Sequence, residues 1–432
     1  MKETRTRYAP SPTGYMHIGN LRTALYEYLI AKADGGKFIL RIEDTDQKRY
    51  VEGATEVIYR TLETIGLKHD EGPDIGGPYG PYVQSERKST YLPLALQLVE
   101  KGCAYHCFCS HERLEALRSE CEGQGVQPKY DRHCLGLKPT EVEARIKNGD
   151  PFVIRQKMPS TGETRFTDRV YGEIVMENAT LEDQVLIKSD GFPTYNFANV
   201  VDDHAMNITH VVRGSEYITS TPKYILLYEA FGWELPVYVH LPVVVKEGGK
   251  KISKRTGDAT VEDLLEEGYL VPALINYICL LGWSPGDERE FFTLEELVRE
   301  FDVGGISRSP STFDYDKLNW MSGEYIRRMS PGEFLLVCRP WLLKTLDENA
   351  FDFTKIAAVL QKRIEVLGEI PEAVSFLNRV EEYDKTLYEN KKMKSSHEQA
   401  RMLLPIIQSV LSGLEQWDHD MLVAALTGIA QR

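Results

Sequence analysis

The chain has 432 residues, of which 42% are hydrophobic and 27% charged, and its formal net charge is -14. This is an ordinary globular composition, long enough for two to four domains with their own cores. The polar start, Met1 to Arg5, gives no sign of a signal peptide, and the longest nearly apolar stretch, Val271 to Trp283, is too short to span a bilayer. We therefore expect a soluble, cytoplasmic protein. The acidic net charge neither supports nor excludes nucleic-acid binding, because such binding needs only a local basic face.

The first residues predict the opening of a parallel nucleotide-binding sheet. Residues 4–9 predict a short strand, which ends in a loop rich in proline and glycine at Pro10 to Gly14. Apolar residues at helical spacing predict a helix over 21–33, and residues 37–42 predict a second strand. Strand, loop, helix and strand in this order is typical of a Rossmann-type fold.

The loop before that helix is a candidate phosphate site. Gly14 and Gly19 let the backbone approach a ligand closely, and His17 lies near the helix N-terminus. That end carries unbonded N–H groups and a partial positive charge, which suit phosphates. A bare His-x-Gly would favour a surface histidine in a proline-rich loop, but the fourteen-residue string from Arg7 to Asn20 favours a site.

A cysteine cluster follows. Five of the seven cysteines lie between Cys103 and Cys134. An odd number of cysteines in a cytosolic chain argues against a disulfide framework. The thiols of Cys107, Cys109 and Cys134 have a spacing that suggests a tetrahedral zinc site, and buried cysteines without metal are the alternative.

The rest of the chain divides into a sheet-forming part and a helical part. A strand-rich stretch over 152–187 follows the cysteines, sheet-like patterning resumes at 190, and the pattern is helical from about 326 onward. Between the sheet-like part that resumes at 190 and the helical part, the segment Lys251 to Arg255 predicts a cationic loop that can close on a triphosphate. No Gly-x-x-x-x-Gly-Lys-Ser/Thr phosphate loop occurs, which disfavours an ATPase of that type.

Together, the His17 segment and the Lys251 to Arg255 segment resemble the HIGH and KMSKS motifs of class I aminoacyl-tRNA synthetases. Asn20 stands where the first motif has a second histidine, and it can still donate a hydrogen bond. The resemblance extends over essentially the whole chain to the glutamyl enzymes in particular. Three further segments carry it: Arg7 to Gly14, Arg41 to Asp46, and Pro193 to His204.

The resemblance implies an α/β fold in which a Rossmann-type parallel-sheet catalytic domain holds an inserted acceptor-end-binding subdomain and an all-α anticodon-binding domain follows. The tail stops at Arg432, before the family's last helical subdomain, so we expect it to be truncated or short. The expected divisions are 1–105, the first catalytic half; 106–189, the insertion with the candidate zinc site; 190–250, the second catalytic half; 251–325, the KMSKS loop and stem-contact region; and 326–432, the anticodon-binding domain.

The resemblance also implies the reaction: glutamate is activated with ATP and Mg²⁺, and the glutamyl group passes to the 2′-hydroxyl of the terminal adenosine of tRNA(Glu). We expect a monomer. His17 and Lys254 are the expected catalytic residues, because catalysis of this step is positioning and electrostatic stabilisation. The expected ATP-binding residues are His17, Gly19, Asn20, Glu216, Lys251, Ser253, Lys254 and Arg255. The expected glutamate-binding residues are Arg7, Ala9, Ser11, Glu43, Tyr195, Asn199 and Arg213.

Two more roles follow from the resemblance. Arg363 matches the arginine with which the family contacts an anticodon base. In zinc-containing glutamyl enzymes a histidine two positions after the last cysteine completes the site, and here that position is Gly136. Tyr130 replaces it in a related glutamyl-transfer family and lies at the matching spacing. The alternative fourth ligands are His106, His111 and His133.

The sequence also allows several alternative functions. A non-discriminating enzyme would also charge tRNA(Gln), and a glutaminyl-tRNA synthetase is the closest rival, disfavoured by the Arg41 to Asp46 segment and the helical tail. A tRNA-modifying paralogue would lack that tail, and a small nucleotidylyltransferase would be much shorter. An inactive tRNA-binding relative would have lost His17 or Lys254, and both are present.

Overall fold

The computed structural model describes residues 2–46, 51–126, 128–246, 248–249, 260–378, 383–392 and 394–431. The chain forms two compact units. The larger comprises Met1–Leu336 and Lys355–Glu369, and the smaller comprises Val337–Thr354 and Ile370–Arg432. None of the helices in the described ranges is long and apolar enough to cross a membrane.

The strands all lie in the larger unit. They are β1 (Arg5–Tyr8), β2 (Lys37–Leu40), β3 (Ala104–Cys107), β4 (Val153–Gln156), β5 (Glu163–Asp168), β6 (Gly172–Glu177), β7 (Val185–Ile187), β8 (His210–Gly214), β9 (Val237–Leu241), β10 (Val244–Lys246) and β11 (Ser311–Phe313).

The helices alternate with strands in the first part of the chain and dominate its end. They are α1 (Ile18–Ala33), α2 (Ala54–Thr64), α3 (Lys88–Glu100), α4 (His111–Gly123), α5 (Pro139–Lys147), α6 (Tyr195–Ala205), α7 (Thr221–Phe231), α8 (Val261–Glu267), α9 (Val271–Leu280), α10 (Leu294–Glu300), α11 (Tyr315–Arg328), α12 (Pro331–Leu342), α13 (Phe353–Leu360), α14 (Ile370–Ala373), α15 (Ser375–Asn378), α16 (His397–Ser412) and α17 (His419–Ala430).

Parallel strands form the centre of the larger unit. β1 pairs with β2, β8 pairs with β9, and the backbone N–H of Thr209 donates to the carbonyl of Arg5 at 2.9 Å, which links the start of β8 to β1. β5 joins β9 in parallel at Asp168 and forms an antiparallel hairpin with β6. The carboxyl ends of parallel strands meet at one edge, and ligands of open α/β sheets bind there.

Residues 104–187 contribute a separate antiparallel sheet. β3, β4 and β7 pair antiparallel, and a small core of Tyr105, Cys107, Phe108, Tyr130 and Cys134 packs beside them. The main core surrounds α1, whose Leu21, Leu25 and Leu29 are fully buried. Polar residues of α1, Arg22 and Glu27, are buried as well. This helix is therefore covered on nearly all sides.

The predicted elements agree with this fold. The strands predicted over 4–9 and 37–42 are β1 and β2, and the strand-rich stretch over 152–187 contains β4 to β7. The helix predicted from 21 begins at Ile18, because the side chain of His17 caps it three residues before the apolar periodicity starts. The expected helical tail is confirmed: from residue 326 onward the described residues form helices and turns and no strand.

The smaller unit is helical. Its last two helices, α16 and α17, contact each other. Ser396 begins α16 with a reciprocal cap, in which its hydroxyl accepts from the N–H of Gln399 and the Gln399 side chain accepts from the N–H of Ser396. Asp418 caps α17 by accepting from the N–H of Met421.

Candidate active site

A cavity of about 340 Å³ lies at the carboxyl ends of β1 and β8, beside the N-terminus of α1. It brings together residues from distant parts of the chain, from Arg7 to Val244. Those predicted from the sequence that line it are Arg7, Ala9, Ser11, His17, Gly19, Asn20, Glu43, Tyr195, Arg213 and Glu216. Asn199 does not line it; its side chain is buried one turn further along α6 and donates to the carbonyl of Tyr195 at 2.9 Å. Lys251, Ser253, Lys254 and Arg255 lie outside the described residues.

His17 forms the N-cap of α1. Its Nδ1 accepts from the backbone N–H of Asn20 at 3.2 Å, so in the neutral ring the hydrogen is on Nε2. A Cβ at Gly19 would lie 3.2 Å from the ring of His17, a tight contact, so the glycine leaves room for that ring. The first turn of α1 contains no acidic residue. The N-terminus of α1 and the Nε2–H group of His17 therefore supply donors suited to an anion.

Buried ion pairs form one side of the cavity. Nε of Arg7 lies 2.9 Å from Oδ1 of Asp203, and its Nη1 lies 3.2 Å from Oε1 of Glu27. The same Asp203 oxygen also accepts from Arg41 at 2.7 Å, and Arg41 pairs with Glu43 at 2.8 Å. The charge of Arg7 is thus already balanced by carboxylates of the protein.

The acids of this network have opposite pKa shifts. Burial favours the neutral acid at Asp203, but Arg7 and Arg41 outweigh it and lower the pKa of that carboxyl below its ordinary value. Burial raises the pKa of Glu27 well above its ordinary value, although Arg7 opposes the shift. Oε2 of Glu27 finds no hydrogen-bond donor in the described part of the chain. This agrees with a carboxyl that is less readily ionised than Asp203.

Arg213 is held differently. Its side chain is 6% exposed, its Nε donates to Nε2 of His240 at 3.4 Å, and its Nη2 donates to the hydroxyl of Thr221 at 3.2 Å. Its guanidinium carbon lies 4.6 Å from the ring centre of Tyr224 and 5.2 Å from that of Tyr217. Among the residues that can be described, no carboxylate lies within ion-pair distance of it. This buried cation therefore fits an anionic group that a ligand brings.

Glu216 lies just after β8 at the edge of the cavity. A Cβ on Gly214 would lie 2.0 Å from a carboxylate oxygen of Glu216, so the glycine allows that side chain to fold back over the strand end. Sequence reasoning missed several further lining residues, among them Arg22, Glu27 and Tyr217. Arg22 donates to the carbonyls of Leu281 and Pro242, which ties α1 to the chain after β9.

The cysteines meet at a second site. Sγ of Cys107, Cys109 and Cys134 all lie within 4.8 Å of one another. The hydroxyl of Tyr130 is 3.2 Å from Sγ of Cys107 and 3.3 Å from Sγ of Cys109. The guanidinium carbon of Arg155 lies 4.1 Å from the ring centre of Tyr130. Three sulfurs and one phenol oxygen thus converge, with a cation beside them.

No histidine joins these three sulfurs in the described ranges. His106 stacks on the ring of Phe108 and meets the ring of Phe152 edge to face, and His111 and His133 are exposed. Burial raises the pKa of Cys109 to about 11. Without a bound cation, that thiol would therefore stay protonated at neutral pH. Four donors at these spacings fit the tetrahedral coordination that zinc prefers.

Comparison with known proteins extends these observations to the whole chain. Residues 3–320 match the family described as tRNA synthetases class I (E and Q), catalytic domain, and residues 333–432 match an anticodon binding domain. A glutamate–tRNA ligase of Clostridium novyi is 57% identical over 424 residues, which are 98% of this chain and 86% of that protein. The chain belongs to the glutamate–tRNA ligase family.

Further relatives agree with this membership. A glutamate–tRNA ligase of Clostridium kluyveri is 54% identical over 96% of this chain and 85% of its own length. The crystal structure of a glutamate tRNA ligase from Elizabethkingia meningosepticum, in complex with its amino acid, superposes with a TM-score of 0.87 at 35% identity, covering 100% of this chain and 90% of that one. The glutamate–tRNA synthetase of Elizabethkingia anophelis gives 0.86 at 34% identity, with the same coverage.

Membership in the glutamate–tRNA ligase family confirms the fold class predicted from the sequence: a class I synthetase catalytic domain followed by a helical anticodon-binding domain. Arg363 lies in the turn after α13 and is exposed, and the neighbouring Ile364 is buried. The guanidinium of Arg363 is thus accessible to a large ligand such as RNA.

Proposed function

We propose that this chain joins L-glutamate to tRNA(Glu) through a glutamyl-adenylate. The observation that carries the proposal is the environment of Arg213. It is a buried guanidinium that lines the same cavity as the N-terminus of α1 and His17. A cation and an anion-binding helix end in one cavity suit a substrate with a carboxylate beside a polyphosphate.

In the first step, an oxygen of the α-carboxylate of glutamate attacks the α-phosphorus of ATP, which is bound with Mg²⁺. The new oxygen–phosphorus bond forms as the bond to the β-phosphate oxygen breaks, and pyrophosphate leaves with the electron pair. Negative charge builds up on the phosphoryl oxygens. Nε2–H of His17 and the N–H groups at the start of α1 are placed to stabilise it, with Lys254 as the proposed second cation.

Recognition of glutamate rests on its charges. The carboxylates of glutamate need cations, and we assign them to Arg7 and Arg213. Because Arg7 is already paired with the ionised Asp203, and no carboxylate of the described residues pairs with Arg213, Arg213 supplies the larger unbalanced charge. Glu43 is assigned to the ammonium group. Glutamine would leave Arg213 buried without a counter-charge, and a site of that kind rejects the uncharged analogue strongly.

Ser11, Ala9 and Tyr195 line the same cavity and complete the proposed glutamate pocket. Asn199 would act by fixing α6, through its bond to the carbonyl of Tyr195, rather than by direct contact in the geometry observed. Gly19, Asn20 and Glu216 are assigned to ATP, together with Lys251, Ser253 and Arg255.

In the second step, the 2′-hydroxyl of the terminal adenosine of tRNA(Glu) attacks the glutamyl carbonyl. The ester bond forms, and AMP leaves with the electrons of the carbonyl–phosphate oxygen bond. We assign the insertion, residues 106–189, to the acceptor end of the tRNA and Arg363 to an anticodon base, since arginine is the natural donor to a base edge. We further propose that the enzyme acts as a monomer in the cytoplasm.

We also propose that Cys107, Cys109, Cys134 and Tyr130 hold a structural zinc ion. The support is the convergence of their donor atoms and the positive charge of Arg155 beside them, which offsets the surplus negative charge of three thiolates and a phenolate around one divalent ion. The ion would fix the insertion and take no part in the reaction.

Aminoacylation with purified tRNA(Glu) and tRNA(Gln), each with glutamate and with glutamine, tests the proposed function. We expect glutamyl-tRNA(Glu) to form and no ester with glutamine on either tRNA. Formation of glutamyl-tRNA(Gln) at a similar rate would show a non-discriminating enzyme. Charging with glutamine alone would contradict the proposal.

A further inference from the structure

A buried pair of residues lies behind Arg213 and outside the cavity. His240 on β9 is the lateral neighbour of Arg213 on β8, so their side chains share one face of the sheet. Asp168, at the end of β5, lies on the other side of His240. The side chains of His240 and Asp168 are both 0% exposed, and Nδ1 of His240 is 2.7 Å from Oδ2 of Asp168.

The hydrogen bonds around Asp168 fix its charge state. Its Oδ1 accepts from the backbone N–H groups of Val170 at 2.9 Å and Tyr171 at 2.8 Å, and its Oδ2 accepts from the backbone N–H of His240 at 3.0 Å. Burial favours the protonated acid, but the bond from His240 and these backbone groups outweigh it and lower the pKa of Asp168. The carboxylate is therefore ionised, and it can only accept.

The ionised Asp168 determines the tautomer of His240. Because Asp168 only accepts, Nδ1 of His240 carries its hydrogen. Burial also lowers the pKa of the imidazole, although Asp168 opposes the shift, so the ring stays neutral and its Nε2 is an acceptor. That acceptor faces Nε of Arg213. The hydroxyl of Thr221 donates to the carbonyl of Tyr217 at 2.9 Å, which leaves its oxygen to accept from Nη2 of Arg213; that oxygen also lies 3.2 Å from Nε2 of His240.

We propose that Asp168 and His240 are positioning residues that orient Arg213 toward the carboxylate of the amino-acid substrate without cancelling its charge. A carboxylate in direct contact with Arg213 would orient it equally well but neutralise it, as Asp203 does for Arg7. A neutral imidazole holds the guanidinium by one hydrogen bond and keeps the negative charge of Asp168 one ring away. This proposal rests on the assignment of Arg213 to glutamate binding made above.

Asp168→Asn is the sharpest test, because it is isosteric and still accepts from Val170 and Tyr171. In Asp168→Asn, the amide nitrogen turns toward His240 and donates to Nδ1. The ring hydrogen of His240 then lies on Nε2, where it faces the N–H donor of Arg213 and cannot accept from it. We expect the KM for glutamate to rise about tenfold or more, since a hydrogen bond to a charged group is lost. The KM for ATP should stay within about twofold, because the ATP contacts are untouched.

Two changes at His240 separate positioning from a structural role. His240→Leu removes the acceptor and should raise the KM for glutamate as Asp168→Asn does. His240→Gln offers an amide nitrogen to Asp168 and an amide oxygen to Arg213, and should restore a KM within about threefold of the unchanged protein. Glu71→Gln is the matched control: Glu71 is a buried carboxylate outside the cavity that accepts from Arg5 and Tyr82, and its loss should leave the KM for glutamate unchanged.

An unchanged KM for glutamate in folded Asp168→Asn, or an equal rise of the KM for ATP, would overturn the proposal. If these variants do not fold, the ring-nitrogen shifts of ¹⁵N-histidine in the unchanged protein decide it. A neutral tautomer with the hydrogen on Nδ1 is expected, and its absence would overturn the proposal. If the unchanged protein activates no glutamate, the proposed function fails, and the tautomer measurement still stands as a separate result.

Discussion

Oδ1 of Asp203 accepts from Nε of Arg7 at 2.9 Å, and this bond ties α6 to β1 beside the cavity. Because the same oxygen accepts from Arg41, one carboxylate pairs with two buried cations. We expect Asp203→Asn to lower the free energy of unfolding by about 3–5 kcal/mol, the usual effect of breaking a buried ion pair on one side. Urea denaturation measures it.

The matched control for that change is Glu348→Gln, which removes an exposed ion pair with Arg339. It should leave the urea midpoint unchanged, since exposed pairs contribute little. Equal effects of the two substitutions would show that Asp203 does not balance the buried arginines.

Glu27 should make stability depend on pH. Its folded-state pKa is raised by burial, so above its unfolded value of 4.5 the folded state binds more protons than the unfolded state. The unchanged protein therefore loses stability from this group as pH rises above 4.5. Glu27→Gln removes that loss, so its stability relative to the unchanged protein should increase between pH 5 and pH 8, by up to about 1.4 kcal/mol per pH unit. If the difference in stability between Glu27→Gln and the unchanged protein did not vary with pH, the raised pKa of Glu27 would be contradicted.

The sequence predicts the secondary-structure elements and many of the residues that line the cavity, but it does not predict the contacts of Asp203 and Glu27. Residues 4–9 predicted β1, and the segments that resemble the glutamyl enzymes predicted many of the residues that line the cavity. The spacing of the apolar residues does not show that Glu27 is buried, because it predicts one buried face and α1 is buried nearly all round. The position of Glu27 between Tyr26 and Tyr28 was the available signal. The pair of Asp168 and His240, 72 residues apart, belongs to no periodic pattern, and only the register of β5, β8 and β9 brings it to Arg213.

The cysteine site makes a prediction about metal content. The protein should contain about one zinc per chain, as expected for a closed four-ligand site. Cys109→Ser should lose it and destabilise the insertion, because metal binding is coupled to local folding. Tyr130→Phe keeps the ring and removes the oxygen, so it should release zinc to a chelator faster. Cys121→Ser is the control and should retain the metal. If the unchanged protein contained no metal after metal-replete expression, the alternative of buried cysteines without metal would be favoured.

Lys254 should act on the transition state. Lys254→Ala is expected to lower the rate of glutamate activation by about 10²–10³, the usual effect of losing one donor to developing charge. The KM for glutamate should change much less, because the lysine is assigned to the phosphates. Steady-state pyrophosphate exchange separates the two parameters. A raised KM with an unchanged kcat would assign the lysine to ground-state binding.

Activation should also depend on tRNA. The resemblance to the glutamyl enzymes implies that the acceptor end completes the pocket, so that binding energy assembles the site only with the correct RNA. Pyrophosphate exchange should be near background without tRNA and rise sharply with saturating tRNA(Glu). Arg363→Ala should weaken the affinity for tRNA by about 1–3 kcal/mol through the loss of one base contact. Full exchange without RNA would refute this order of binding.

We propose that the unbalanced charge of Arg213 selects glutamate over glutamine. The direct measurement is kcat/KM for glutamate and for glutamine at saturating ATP and tRNA(Glu), in the unchanged protein and in Arg213→Gln. The unchanged protein should use glutamate and not glutamine, and Arg213→Gln should lower kcat/KM for glutamate by about 10² or more, with the KM for ATP nearly unchanged. An unaltered kcat/KM for glutamate in Arg213→Gln would contradict the account.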